Sequence, residues 1–279
     1  VNNEMKKLTN EDIQRISVDI LVYIDKLCRE HNIDYSIFYG SLIGVERHKG
    51  YIPWDDDLDI VLTRPNYERL LELLKKQEDY LLLSPENTEN YRYAFAKLVD
   101  KHTKAVSKQY YNSEDENLGV YVDIFPIDGF PTDLNERKKF GELCELYRAN
   151  MVFSLNHSYA ISRSWLKAKA KRILYYPKYR KLLRQGDYNY WKNKYESLVT
   201  KYPFEEAEFC GYMEFINIYW GVFPTDWFKE YEDVEFEGHT FMAIKERDKF
   251  LTLRYDNYME LPPEEERVTH HPYDFYFKD

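Results

Sequence analysis

Residues 51–60 read YIPWDDDLDI, inside the longer run YGSLIGVERHKGYIPWDDDLDIVL at 39–62. Four aspartates, Asp55, Asp56, Asp57 and Asp59, fall within five positions, and an apolar run follows at once. Carboxylates this close repel one another unless a positive group lies among them. The stretch LDIVL has the β-branched and apolar character of a strand. Along a strand alternate side chains share a face, so Asp57 and Asp59 point one way while Leu58 and Ile60 point into a core. Two carboxylates on one strand face suit Mg²⁺, which takes one or two carboxylates together with phosphate oxygens and water. The competing reading is a solvated acidic turn.

The neighbouring segments build a frame around these acids. Upstream, Thr9 stands where a helix cap belongs, and apolar residues recur at Ile13, Ile16, Ile20, Ile24 and Leu27. DYSIFYGS (34–41) reads as a strand ending at Gly40-Ser41, a turn whose backbone N–H groups can meet a phosphate. A helical turn stopped by Gly50 then places Arg47, His48 and Lys49 beside the acids. Downstream, Arg64-Pro65 opens a helix. Strand-like stretches follow at 93–100, 103–110 and 119–127. The last carries Asp123 on one face with Tyr121 and Phe125, and an aspartate inside an apolar strand is costly unless paired or metal-bound.

This order predicts an α/β (α+β) core with a mixed sheet over 1–132. A helical basic segment occupies 133–205, broken at Pro177 and turning at Gly186-Asp187. The remainder, 206–279, mixes strands in DVEFEGHTFMAI, a helix from about Lys245 to Met259, and an extended tail, and it completes the site.

Composition narrows the function. A net charge of −10 argues against nucleic-acid binding. From Leu146 to Gly186 there are ten Lys and Arg and no acid, which leaves the rest of the chain at −20. That arm combines its cations with Trp165, Leu166, Ile173, Leu174 and Tyr176. It is read either as a peripheral contact with the inner membrane leaflet through 161–185, or as a solvated face packed on the acidic body. Cys28, Cys144 and Cys210 form no paired motif and are expected to be reduced. With no apolar run of spanning length and no signal-like opening, a cytoplasmic location is expected.

The run at 39–62 resembles the signature of the LicD family of phosphocholine transferases, which includes the fukutin-related sugar phosphotransferases. VYVDIFPIDG (120–129) is similar to the family's second block, and FEG (236–238) and RYDNYMELPPEEERVTHH (254–271) to its C-terminal blocks. The fifteen residues between Ser41 and Asp57 also suit this family. The resemblance implies a nucleotidyltransferase fold and transfer of phosphocholine from CDP-choline to a sugar hydroxyl. The acceptor would be a lipid-linked precursor of a cell-surface glycan, of teichoic acid or lipopolysaccharide type. It further implies Mg²⁺ on Asp57, Asp59 and Asp123, with Gly40 and Ser41 against the donor phosphates.

The expected chemistry is in-line displacement at the β-phosphorus with release of CMP. Asp123 or another carboxylate of the group would accept the acceptor's proton, and Arg47 or Lys49 would hold the leaving phosphate. Trp54 stacks on the donor's base or plugs the core. Tyr219, Trp220 and Trp227 cage the quaternary ammonium or staple the C-terminal segment. The resemblance alone implies that His270 and His271 help to close the site. Rival readings keep the site with CDP-ribitol or CDP-glycerol, transfer a nucleotide and release pyrophosphate, or make the chain a non-catalytic choline- or glycan-binding module.

Overall fold

The computed structural model describes residues 6–212, 221–268 and 272–278. Helix α1 (Asn10–Glu30) begins with a capping box, in which Thr9 and Asp12 satisfy each other's backbone N–H. Its apolar stripe, with Ile13, Ile16, Ile20 and Ile24, is buried. Then come β1 (Ser36–Ile37), α2 (Tyr39–His48), β2 (Asp59–Thr63), α3 (Arg64–Leu74), β3 (Leu81–Leu83), β4 (Ala96–Val99), β5 (Thr103–Ser107) and β6 (Tyr121–Phe130). Helices α4 (Leu134–Ser154), α5 (Trp165–Leu183) and α6 (Tyr188–Val199) form the helical part. The chain closes with β7 (Phe209–Gly211), β8 (Phe223–Pro224), β9 (Tyr231–Phe236), β10 (His239–Ile244), α7 (Arg247–Tyr255) and β11 (Tyr273–Phe277).

The central sheet has the order β1-β2-β6-β4-β3, and β7 extends it from the far end of β6, followed by β8. Only β2 and β6 run parallel in it; the remaining pairs are antiparallel. Every residue of β6 is buried, so this strand is the axis of the core. A Pro inside a central strand removes a ladder donor; Pro126 nonetheless lies in β6, at the register position of Leu62 on β2. The tail does not end loose: β11 pairs with β5, and the Lys6 carbonyl accepts from the Phe277 N–H.

Three local expectations change. Gly40 and Ser41 do not end a strand but lie in the first turn of α2, because β1 stops after two residues and Tyr39 enters the helix at φ 47°. That helix ends on Lys49 in the left-handed region, one residue before Gly50. Pro177 does not break its segment; α5 continues through it. The position is solvent-exposed, so water can satisfy the carbonyl that proline leaves without a donor. Among the described residues, no helix is long and apolar enough to cross a membrane.

Candidate active site

Parallel pairing of β2 and β6 sets Asp59 directly beside Asp123, and antiparallel pairing of β4 sets Lys97 beside Asp123 on the other flank. A carboxylate, a second carboxylate and an ammonium therefore stand in one row across three neighbouring strands. All three are nearly out of water: Asp59 and Asp123 are 8% exposed and Lys97 is 2% exposed. Lys97 Nζ donates to Asp123 Oδ1 at 2.5 Å. The rings of Tyr93, Phe95 and Tyr121 box the ammonium in, at 4.6, 4.9 and 3.7 Å from Nζ to their centroids. Such a box offsets part of the desolvation of the charge.

Asp57 precedes the strand, since β2 begins at Asp59. Alternation nevertheless persists in the burial: Leu58 and Ile60 are fully enclosed, and Asp57 and Asp59 retain some exposure. The backbone of this turn is pinned from several sides. The Asp59 N–H donates to Ser41 Oγ at 3.0 Å, the Asp123 N–H to the Leu58 carbonyl at 3.0 Å, and Gln14 Nε2 to the Asp55 carbonyl at 2.8 Å. Ser41 thus holds the backbone of Asp59. A side chain at Gly40 would bring its Cβ to 3.1 Å from Asp55 Oδ2, so the first turn of α2 and the aspartate loop are in close approach.

Tyr39 occupies the left-handed region at φ 47°, where a bulky residue stores strain that its surroundings must offset. Its ring is fixed by Phe38, Phe125 and Phe250. Three phenols, buried Tyr51 and Tyr121 and half-buried Tyr255, feel the charge of the acids. Burial pushes the Tyr255 hydroxyl up, and Asp59, Asp57 and Asp55 push it the same way. Burial and Asp123 do this to Tyr121, and burial with Asp57 and Asp55 to Tyr51, against a lowering hydrogen bond with Ser17.

The basic residues beside the aspartate loop divide. Arg47 Nη1 donates to the carbonyls of Tyr258 and Glu260, both at 3.1 Å, and its Nε donates to His48 Nε2 at 3.0 Å. Arg47 therefore fastens the C-terminal segment to α2. Burial and the charge of Arg47 lower the pKa of His48. Lys49 is exposed, and its carbonyl accepts from the Glu237 N–H at 2.9 Å. Trp54 is half-buried against the core, and the Arg267 guanidinium lies 5.6 Å over its ring. Trp227 stacks on Phe223 at 6.0 Å, and Phe223 reaches Tyr39's neighbour Phe250 at 5.0 Å. Tyr219, Trp220, His270 and His271 lie outside the described residues.

Sequence reasoning passed over Lys97 and gave no role to Glu237 and Arg267, which lie within the blocks at 236–238 and 254–271. Glu237 and Gly238 both have positive φ, 50° and 74°, in the two-residue turn joining β9 to β10. The Glu237 carboxylate accepts from the Tyr51 N–H at 2.9 Å, so this hairpin tip clamps the chain just before the aspartates. Lys97 carried a signal of the same kind as Asp123: a charge at an inward position of an apolar strand.

Among the described residues, no three His, Cys, Asp or Glu side chains converge as a metal cage. The adjacent Asp59 and Asp123 still fit Mg²⁺ chemically, because that ion is commonly held by one or two carboxylates and completed by substrate phosphates and water.

The mixed sheet, whose parallel strand pair presents adjacent carboxylates beside the first turn of a short helix, belongs to a nucleotidyltransferase-type domain, as a match to a family model shows. The family described as "LicD/FKTN/FKRP, nucleotidyltransferase domain" matches residues 32–154. Over 278 residues, 96% of this chain and 97% of the relative, the chain is 30% identical to the lipopolysaccharide cholinephosphotransferase LicD of Haemophilus influenzae. It is 25% identical over 142 residues to the uncharacterized protein RP689 of Rickettsia prowazekii, covering 48% of this chain and 50% of that one. The chain belongs to the LicD family.

Proposed function

We propose that this protein transfers phosphocholine from CDP-choline to a sugar hydroxyl of a lipopolysaccharide-type glycan and releases CMP. The observation that carries the reading is the Asp59–Asp123 pair beside α2, in a chain alignable almost end to end with a lipopolysaccharide cholinephosphotransferase. Asp59 and Asp123 would hold Mg²⁺ together with phosphate oxygens and water, and the ion would neutralise charge on the donor's phosphates; the expected third ligand, Asp57, forms no three-carboxylate cage with them among the described residues. Ser41 fixes the Asp59 backbone, and Lys97 holds one oxygen of Asp123. Asp123 or another carboxylate of the group would take the proton of the acceptor hydroxyl, a contribution of roughly 10²–10⁴-fold. The first turn of α2, with Gly40 and Ser41, faces the donor phosphates. Arg47 is engaged with backbone carbonyls, which leaves Lys49 as the cation for the leaving phosphate. The Trp54–Arg267 pair would receive the base.

The acceptor's lipid gives α5 a role. Leu166, Ile173 and Leu174 are 72%, 78% and 71% exposed on this helix, beside exposed Trp165 and Tyr176. None of the described ion pairs involves an α5 lysine or arginine, which speaks against the helix being packed on the acidic body through its charges. An outward face of large apolar residues interleaved with Lys169, Arg180 and Lys181 suits peripheral docking on an anionic membrane surface.

The test follows phosphorus. Purified protein is incubated with CDP-choline, Mg²⁺ and lipopolysaccharide lacking phosphocholine, and ³¹P NMR is recorded. A metal-dependent phosphodiester together with CMP, both absent with Asp59→Ala, is the expected result. Pyrophosphate release, or turnover only with CDP-ribitol or CDP-glycerol, would replace the donor reading. Intact donors throughout would leave a binding protein.

A further inference from the structure

Strand order separates the two sides of the carboxylate row. Helix α2 and β2 flank it on one side; β4, carrying Lys97, flanks it on the other. In-line displacement brings the nucleophile in opposite the leaving group. A donor seated against α2 therefore leaves the β4 flank for the acceptor.

Beyond the side chains of that flank lies a cleft of about 700 Å³, lined by the loops at 88–92 and 113–116 and by the helical part. Two side-chain contacts separate the row from the cleft wall: Lys97 touches the Tyr93 ring, and the Tyr93 hydroxyl donates to Glu114 Oε1 at 2.7 Å on that wall. Arg92 and Tyr273 also donate to that oxygen, at 3.0 and 2.6 Å. The volume lies within the range of small-molecule sites, roughly 300–1,000 Å³. The wall is strongly acidic, with Glu89, Glu114, Asp115, Glu116 and Asp187 against the single guanidinium of Arg92. Such a lining repels phosphate and other anions. Carboxylates and the amides of Asn90, Asn156 and Asn189 offer acceptors and donors for hydroxyl groups, and the half-exposed Tyr179 offers a ring face.

We propose that this cleft is the acceptor subsite and binds uncharged sugar units of the glycan next to the one modified. The assignment rests on the transferase reading for its orientation, and its test separates the two.

Isothermal titration calorimetry would use two probes, the dephosphorylated oligosaccharide released from lipopolysaccharide by mild acid, and CDP-choline with Mg²⁺. Asn156 and Asn189 are exposed, so Asn156→Ala/Asn189→Ala should keep the wild-type melting temperature. The oligosaccharide should bind wild-type protein, and the double variant should weaken it at least tenfold. Glu116→Gln, also exposed, supplies a second variant and should weaken it several-fold. Unchanged oligosaccharide affinity in both variants overturns the subsite. Displacement of the oligosaccharide by choline chloride or inorganic phosphate overturns it as well, because the cleft would then be a headgroup or anion site. If CDP-choline fails to bind while the oligosaccharide still senses the cleft variants, the subsite stands and the donor reading falls.

Discussion

All ten residues of β6 are buried, whereas α5 buries one of its nineteen, Ala168. The two elements also differ in charge management. β6 carries Asp123 and Asp128, each matched by a cation: Lys97 at 2.5 Å, and Arg64 through a two-pronged contact at 2.6 and 2.5 Å. On α5 the cations outnumber their partners, which are a carbonyl, a phenol and rings. The contrast teaches where each kind of function belongs. On the proposed reading the reacting groups would sit on the most over-determined strand, where geometry is held from every side, and a helix that met a membrane would leave its apolar and cationic groups unspent.

The sharpest way to break this contrast is at the carboxylates. Asp59→Ala and Asp123→Ala should each lower phosphocholine transfer by ~10³-fold or more, the scale of losing several kcal/mol of charge stabilisation. Steady-state CMP release measures this. Residual activity within tenfold of wild type in either variant would remove the pair from the chemistry.

Next in size is Lys97. Removing one partner of a buried ion pair strands the other, at a cost of about 3–5 kcal/mol. Lys97→Met should shift urea unfolding by that amount, and Lys97→Met/Asp123→Leu should recover much of it. A double variant destabilised by the sum of the Lys97→Met and Asp123→Leu effects would mean that the two side chains are not energetically coupled.

These two positions also show how far the fold could be read in advance. The capped α1, the strand after the aspartates and the helix opened by Pro65 all rest on local signals, and all appear. The three-leucine β3 escaped, since three residues are too few to show a period. Asp123 could be singled out because a lone acid in an apolar strand is conspicuous. That Asp59 and Lys97 are its lateral neighbours could not, because register is set by pairing between segments far apart in sequence. Arg47 illustrates the same limit. Its spacing put it beside the acids, yet its guanidinium is taken up by carbonyls more than two hundred residues away. A basic segment was legible at α5, but its apolar and cationic residues are mixed rather than segregated onto opposite faces, and whether it packed inward or faced out was a tertiary question.

The outward reading of α5 predicts the third effect. Each basic residue near an anionic bilayer contributes on the order of 1 kcal/mol. Lys169→Ala/Arg180→Ala/Lys181→Ala should therefore weaken binding to phosphatidylglycerol-containing vesicles by ~10²-fold. Exposed positions of this kind change stability by about 0.5 kcal/mol or less, so thermal melting should barely move. Vesicle cosedimentation at low and high salt makes the comparison. Salt should release the wild-type protein, since surface charge attraction is screened. Vesicle binding insensitive to both the substitutions and salt would assign α5 to another partner.

The smallest effect lies between these extremes, where β11 closes over β5. Asp274 sits on β11, and its side chain accepts from Lys7 at 2.7 Å and Lys108 at 3.1 Å. The hydrogen bond from Lys7 leads in holding the carboxyl below its ordinary value, against a partial opposing effect of burial. A carboxylate whose folded pKa is depressed contributes stability that is present above the unfolded value. That contribution is lost as pH falls through the folded value. Asp274→Asn should thus be less stable than wild type at neutral pH, by a few tenths to about 1 kcal/mol for so exposed a pair. The difference should narrow as pH drops below about 4, where the unfolded carboxyl protonates, and close only below the depressed folded value, where both states are protonated. Denaturant titrations across that window test the sign. The consequence reaches the cleft, because Asp274 follows Tyr273, whose hydroxyl donates to Glu114 at 2.6 Å. A strand held by surface charge positions one wall of the proposed acceptor subsite, and weakening it should loosen oligosaccharide binding before it disturbs the buried carboxylate row.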